Sequence, residues 1–181
     1  MSHAPLVDRD TTSGAVQEQL DQIQAAFGTV PSMFKAVANS PAALTSMWGS
    51  FNAFGSGALG PEMTEQIAVA VANRNSCEYC LAAHTALGRN AGVTSEALAD
   101  AQSGISKDPR TEAMLRFALG LVDERGQVNV TEIEALREHG WTDEHIVEAI
   151  GHVALNVFTN YINIALGVPL DFPRVALRPA S

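Results

Sequence analysis

Apolar residues recur at three- and four-residue intervals along almost the whole chain, and alternating apolar-polar runs bounded by turn residues are essentially missing. Period two buries one face of a strand, whereas period 3.6 buries a stripe along a helix, so the pattern predicts an all-α protein. Glycine, proline and capping residues divide the pattern. A first helix is predicted from about Gly14 to Phe27, stopped by Gly28, a short one from Pro31 to Ala38, and a third from Pro41 to near Gly55. Pro61 opens a helix to about Asn73. The polar run Asn73-Arg74-Asn75-Ser76 then interrupts, and a fresh helix is predicted from Cys77 to about Asn90 with Ser76 as its N-cap. Thr94 caps a short helix with Val93 and Leu98 spaced as a hydrophobic staple, Asp108-Pro109 starts one that ends by Gly126, and Thr131 and Glu134 have capping-box spacing. The last helix starts at Thr142, with Trp141 and Ile146 spaced as a staple, and ends at Gly167; Pro169 to Ser181 reads as an extended arm with three prolines.

No repeat, low-complexity tract or linker divides the 181 residues, which suit one domain with residues 1–12 as a tail and 168–181 as an arm. A formal charge of −9 leaves no basic surface to neutralise phosphates, so nucleic acid is not an expected partner. The opening residues lack a basic n-region and an apolar core, and no segment reaches about 18 unbroken apolar residues, so no membrane span is expected and a cytoplasmic location is. Two cysteines three positions apart cannot staple distant loops. Their use must be local, and in a reducing compartment a paired C-x-x-C means redox chemistry or metal binding more often than architecture.

Ser76-Cys77-Glu78-Tyr79-Cys80-Leu81-Ala82-Ala83-His84 places two thiols and an imidazole within two helical turns. At about 100° per residue, both thiols project within about 40° of His84, on one face. First-turn thiols lie among unsatisfied backbone N–H groups, where the helix dipole favours a thiolate. Three-residue spacing on a helix also suits a reversible disulfide. His84, one turn beyond Cys80, is the candidate base, and Glu65, on the preceding helix, is the candidate to orient it. Blander readings stand beside this one. The cysteines could be small buried hydrophobes, or Cys77, Cys80 and His84 could bind zinc, although a structural zinc site usually takes four protein ligands. Glu65 could be a solvated first-turn carboxylate. On the apolar last helix, His152, Asn156, Thr159 and Asn163 form a polar stripe, read as structural or subunit-facing, with His152 and Asn156 the candidates to line a site. Phe34, Trp48, Phe51 and Phe54 read as core aromatics, some of which could line an apolar entrance.

The spacing Glu65, eleven residues, Cys77, two residues, Cys80, three residues, His84 resembles the E-x(11)-C-x(2)-C-x(3)-H signature of the AhpD-like (alkylhydroperoxidase D-like) branch of the carboxymuconolactone decarboxylase superfamily. The resemblance runs from about Gly28 to Phe172, and Leu155-Asn156-Val157-Phe158-Thr159-Asn160-Tyr161-Ile162-Asn163 is similar to the peroxidase-related members. It implies an all-α AhpD-like domain that acts as a thiol-dependent peroxidase: Glu65 and His84 deprotonate Cys80, Cys80 attacks a hydroperoxide, and Cys77 closes the disulfide. An external dithiol, dihydrolipoamide-like or thioredoxin-like, would then reduce it. The resemblance also implies a homo-oligomer (dimer, trimer or hexamer) and no bound cofactor or metal. Decarboxylase members of the superfamily lack the cysteine pair. One position departs from the pattern, because the best-studied AhpD proteins carry a histidine immediately before the second cysteine, where this chain has Tyr79.

Overall fold

The computed structural model describes residues 2–179; Met1, Ala180 and Ser181, at the ends of the tail and the arm, lie outside the described residues. Among those, nine α-helices and no strand occur: α1 (Ala15–Phe27), α2 (Ser32–Val37), α3 (Pro41–Gly55), α4 (Pro61–Arg74), α5 (Glu78–Asn90), α6 (Ser95–Ala101), α7 (Pro109–Asp123), α8 (Val130–Glu138) and α9 (Asp143–Leu166). The fold is all-α, as the periodicity predicts.

The core is organised around α4. From Ile67 to Asn73 every residue is buried, which a helix achieves only when neighbours cover all its sides. Here α5, α6, α7 and α9 surround it. The run Ile67-Ala68-Val69-Ala70-Val71-Ala72 alternates branched residues with alanines, and the alanines let flanking helices approach closely. Ile67 is fully buried, so Ile67→Ala removes about 2–5 kcal/mol of stability. The longest helix, α9, spans about 36 Å at 1.5 Å per residue and packs on α2, α3, α4, α5, α7 and α8. By length and composition alone α9 could cross a membrane. Its buried face nevertheless carries His152, Asn156, Thr159, Asn160 and Asn163, and these face protein.

Capping explains most boundaries. Thr94, Asp108 and Thr142 each accept a backbone N–H of the first turn that follows, and Gly167 closes α9 in the left-handed conformation. The staple residues Val93, Leu98, Trp141 and Ile146 are all buried. The capping box of α8 differs from the expected Thr131/Glu134 pair. Asn129 Oδ1 accepts from Glu132 N at 3.1 Å and Glu132 Oε2 accepts from Asn129 N at 2.8 Å, because a stronger N-cap residue two positions earlier starts the helix there. The described parts of the tail and the arm are both tied down. His3 N donates to Leu166 O at 2.7 Å, Val7 N to Lys35 O at 3.0 Å, and in the arm Arg178 N donates to Asn73 Oδ1 at 2.9 Å.

Candidate active site

The site begins where α4 turns into α5. Asn75 caps α4, and Ser76 follows with φ 57°, letting Cys77 N donate back to Ala72 O at 2.9 Å. Asn75 Nδ2 donates to Asn160 Oδ1 at 2.9 Å, which ties this turn to α9. Ser76 is therefore spent on ending α4 in a left-handed residue and is not the N-cap of α5, as its position suggested. Cys77 takes that role: its backbone is extended and its Sγ accepts from Cys80 N at 3.4 Å. Only Cys80 sits inside the first turn.

The α4–α5 hairpin brings Glu65 beside His84. His84 Nδ1 lies 2.8 Å from Glu65 Oε2. A carboxylate only accepts, so Nδ1 carries a proton and Nε2 is left to take one from a thiol. Burial of the imidazole opposes its charged form, but the charge and hydrogen bond of Glu65, and then the Cys80 sulfur, outweigh that and raise its pKa above the usual value.

The two sulfurs differ sharply. Cys80 is lowered from 9.0 to about 6: the Cys77 thiol hydrogen-bonds to it, burial opposes, and the His84 charge, Asn163 and Thr159 add support. Asn163 Nδ2 donates to Cys80 Sγ at 3.1 Å, and Thr159 Oγ1 lies 3.8 Å away. The single hydroxyl proton of Thr159 also reaches Asn156 O at 2.9 Å, so full support of a thiolate by Thr159 costs that bond. Cys77 is pushed far up, first by its hydrogen bond to Cys80, then by burial and by the Cys80 charge. One proton between two close sulfurs resides on Cys77.

Cys80 and His84 line a small cavity of about 40 Å³ walled by Phe27, Phe34, Phe51 and Phe172. Of the four aromatics singled out in the sequence, Phe34 and Phe51 thus face the site, Trp48 packs edge-on against Phe34 at 5.8 Å, and Phe54 lies against His152 at 4.7 Å. Cys77 lines a separate groove of about 380 Å³ with Asn163, Gly167 and Arg174. Cys77 precedes the helix and borders this groove rather than the cavity, while its sulfur stays hydrogen-bonded to Cys80. Among the described residues no group of three or more His, Cys, Asp or Glu side chains is placed to hold a metal.

Tyr79 stands between cavity and groove and lines both. Its hydroxyl donates to Asp171 Oδ2 at 2.5 Å and accepts from Met33 N at 3.3 Å. Asp171 also accepts from Ser32 N and Ser32 Oγ, both at 2.6 Å, so the arm, α2 and α5 meet on one carboxylate. Burial first, then Asp171, push the phenol well above its ordinary value, and it stays protonated. Sequence reasoning missed Asn163 and Thr159 as neighbours of Cys80. The signal was their four-residue spacing within the polar stripe of α9, where His152 and Asn156 had been singled out instead. Neither of those lines the cavity. His152 is buried, 3.9 Å from Glu148 Oε1, and burial depresses its pKa against the pull of Glu148 and Glu65.

Residues 40–124, a window that contains Glu65, Cys77, Cys80 and His84 but stops short of α9, match the model of the Carboxymuconolactone decarboxylase family. Among solved structures, the chain resembles the alkylhydroperoxidase AhpD core of Ralstonia eutropha JMP134, described as an uncharacterized peroxidase-related protein, with TM-score 0.84 and 27% identity over 94% of this chain and 92% of that one. An uncharacterized peroxidase-related protein from Silicibacter sp. TM1040 gives TM-score 0.81 and 25% identity over 93% and 91% of the two chains. The debrominase Bmp8, at TM-score 0.77 and 17% identity over 93% and 91%, shares the fold. No curated protein matches the sequence. Family model and fold agree, and the chain is similar to the AhpD-like branch of the carboxymuconolactone decarboxylase superfamily.

Proposed function

We propose that this protein is a thiol-dependent peroxidase that reduces hydroperoxides through a Cys77/Cys80 dithiol-disulfide cycle, with Glu65 and His84 as its proton relay. The observation that carries the reading is a buried thiol at about 6, held beside a carboxylate-bound imidazole on the wall of a cavity. At neutral pH that thiol is a thiolate, the form that attacks a peroxide bond. The Cys80 thiolate attacks the terminal peroxide oxygen, the O–O bond breaks, and the leaving alkoxide takes the proton held on His84 to depart as an alcohol. Cys77 then attacks the sulfenic sulfur, water leaves, and the disulfide forms. Two electrons have passed from two thiols to the peroxide, and an external dithiol must return them.

Cavity size supports a peroxide group at Cys80. About 40 Å³ holds little more than one water's share of about 30 Å³ in the liquid. An –OOH end fits there, while the apolar remainder of an organic hydroperoxide would lie toward Phe27, Phe51 and Leu87. A pair re-reduced every cycle needs a reducing compartment, and the cytoplasm is the location proposed. Self-association belongs to the same proposal, supported by an exposed apolar stripe on α9 at Val147, Ile150, Tyr161 and Ile164.

Thiol counting tests the reading. Hydroperoxide should consume two thiols per chain in the native sequence and none in Cys80→Ser, while Cys77→Ser should accumulate a sulfenic acid that dimedone traps. Thiols that survive excess hydroperoxide in the unmodified chain would end it.

A further inference from the structure

The two sulfurs are hydrogen-bonded to each other but border different spaces. Cys80 lines the inner cavity with His84, whereas Cys77 lines the outer groove with Ser76, Glu78, Asn163, Gly167 and Arg174. Tyr79, fixed by Asp171, borders both spaces. Room differs tenfold: about 40 Å³ inside against about 380 Å³ outside. The second falls within the range of about 300–1,000 Å³ typical of small-molecule sites, and the first lies well below it.

Resting on the peroxidase reading, we propose that the outer groove is the docking site of the reductant, a small dithiol, which attacks Cys77 Sγ and expels Cys80 as the thiolate, while the hydroperoxide reaches Cys80 from the inner cavity. The chemistry favours this direction. Attack on one sulfur of a disulfide expels the other, and the sulfur with the lower thiol pKa leaves faster. Cys80 leaves into a prepared place, since Asn163 Nδ2 stands 3.1 Å from its sulfur and the His84 charge faces it. Attack at Cys80 would instead expel Cys77, whose thiolate is disfavoured by burial and by its neighbour. The balance is complete. The incoming thiolate forms a mixed disulfide on Cys77 as the Cys77–Cys80 bond breaks. The second thiol of the reductant then attacks the reductant's own sulfur, closing a cyclic disulfide and releasing Cys77, which takes a proton. Two electrons move from the dithiol to the protein, and Cys80 is left ionised for the next peroxide.

Asn163 joins the two compartments. Its side chain lines the groove and reaches Cys80, so the sulfur that faces peroxide is supported by a group the reductant passes.

The full chain is oxidised with diamide, which makes the disulfide without peroxide chemistry, so the groove is tested even where the peroxidase reading fails. A brief pulse of 2-mercaptoethanol is quenched in acid, free thiols are capped with a maleimide, and fragments are sequenced by mass spectrometry. The expected product carries mercaptoethanol on Cys77 and maleimide on Cys80; the reverse pattern overturns the proposal. A second measurement uses Arg174, which is 69% exposed at the groove rim in a surface pair with Glu78 at 3.2 Å. Arg174→Glu should lower the rate of reduction by mercaptoacetate relative to neutral mercaptoethanol by roughly 3- to 10-fold at low salt, the effect of reversing a charge on the lining of the groove the thiol enters. An unchanged ratio places the entering thiol elsewhere and overturns the proposal.

Discussion

Asn163→Leu isolates one hydrogen bond to the reactive sulfur. In the native protein Asn163 Nδ2 donates to Cys80 Sγ at 3.1 Å. Asn163 Oδ1 is buried without a partner among the described residues. Leucine has a similar volume and removes an unpaired acceptor together with the donor, so folding stability should change little. The thiolate, by contrast, loses a charge-assisted bond worth about 1.5–3 kcal/mol, or roughly 1–2 pKa units at 1.36 kcal/mol each. Because Cys77 and His84 still support the anion, the lower end applies, and the Cys80 midpoint should move from about 6 to near 7. At pH 7 the thiolate share then falls from about nine-tenths to about one half. Thiolate absorbance at 240 nm against pH reads the midpoint directly, and the pH dependence of alkylation checks it. Urea unfolding in parallel shows that the fold is intact. A midpoint that stays at about 6 in a stably folded variant refutes the assignment of Asn163 as a support of the anion.

Glu65→Gln removes the charge that raises His84, so the imidazolium weakens, the Cys80 midpoint rises above its native value, and hydroperoxide reduction at neutral pH slows by roughly 10²-fold; an unchanged pH–rate profile counts against the relay. Cys80 has a native pKa below its unfolded value of 9.0, so its ionisation adds stability that is fully present above about pH 9 and is lost as pH falls through about 6. The stability of the reduced protein relative to Cys80→Ser should therefore grow between pH 5 and about pH 8.5 in denaturant titrations, and a flat difference contradicts the depressed pKa. A Cβ at Gly88 would lie 2.7 Å from Leu98 Cδ2 and 3.4 Å from Glu65 Cβ. Leu98 is buried and cannot swing away, so Gly88→Ala should cost about 1–3 kcal/mol in urea unfolding, and an unaltered midpoint would show slack in the α4–α5–α6 packing. Val147, at 68% exposure, lies on the apolar stripe of α9, and Val147→Glu should lower the mass measured by light scattering if that stripe joins protomers; an unchanged assembly places the interface elsewhere.

The helices were legible because their signals are local. Apolar period, Pro at the first turn, Thr94, Asp108 and Thr142 at caps, and Gly28 and Gly167 at ends all act within about four residues, so sequence neighbours carry them. The two caps that moved show where locality fails. Ser76 could serve either the end of α4 or the start of α5. The choice fell to the first, because a left-handed residue lets Cys77 N reach Ala72 O while Asn75 locks the turn to Asn160, a contact 85 positions away. At α8, two candidates two positions apart, Asn129 and Thr131, competed and the better acceptor, Asn129, won.

The site was legible to the same depth. Glu65 and His84 meet because both lie on one hairpin, whose register follows from the turn between them. Which sulfur holds the charge came from the resemblance, which named Cys80, and not from local reasoning: the helix dipole argued locally is a poor guide, since it points at Cys77, the residue nearest the helix start. Cys77 does accept a first-turn N–H, from Cys80 at 3.4 Å. Yet Cys80 is the acid of the pair, because its sulfur receives the Cys77 thiol, the positive charge of an imidazole whose protonated form Glu65 favours, and Asn163 from 83 residues away. A backbone dipole is shared by everything in the first turn, whereas a directed donor at 3.1 Å acts on one atom. Under the proposed cycle, the partners that hold the charge on Cys80, with Cys77 first and then His84 and Asn163, would bear on both half-reactions: Cys80 would be the sulfur that attacks a peroxide and the one that leaves when the disulfide is opened.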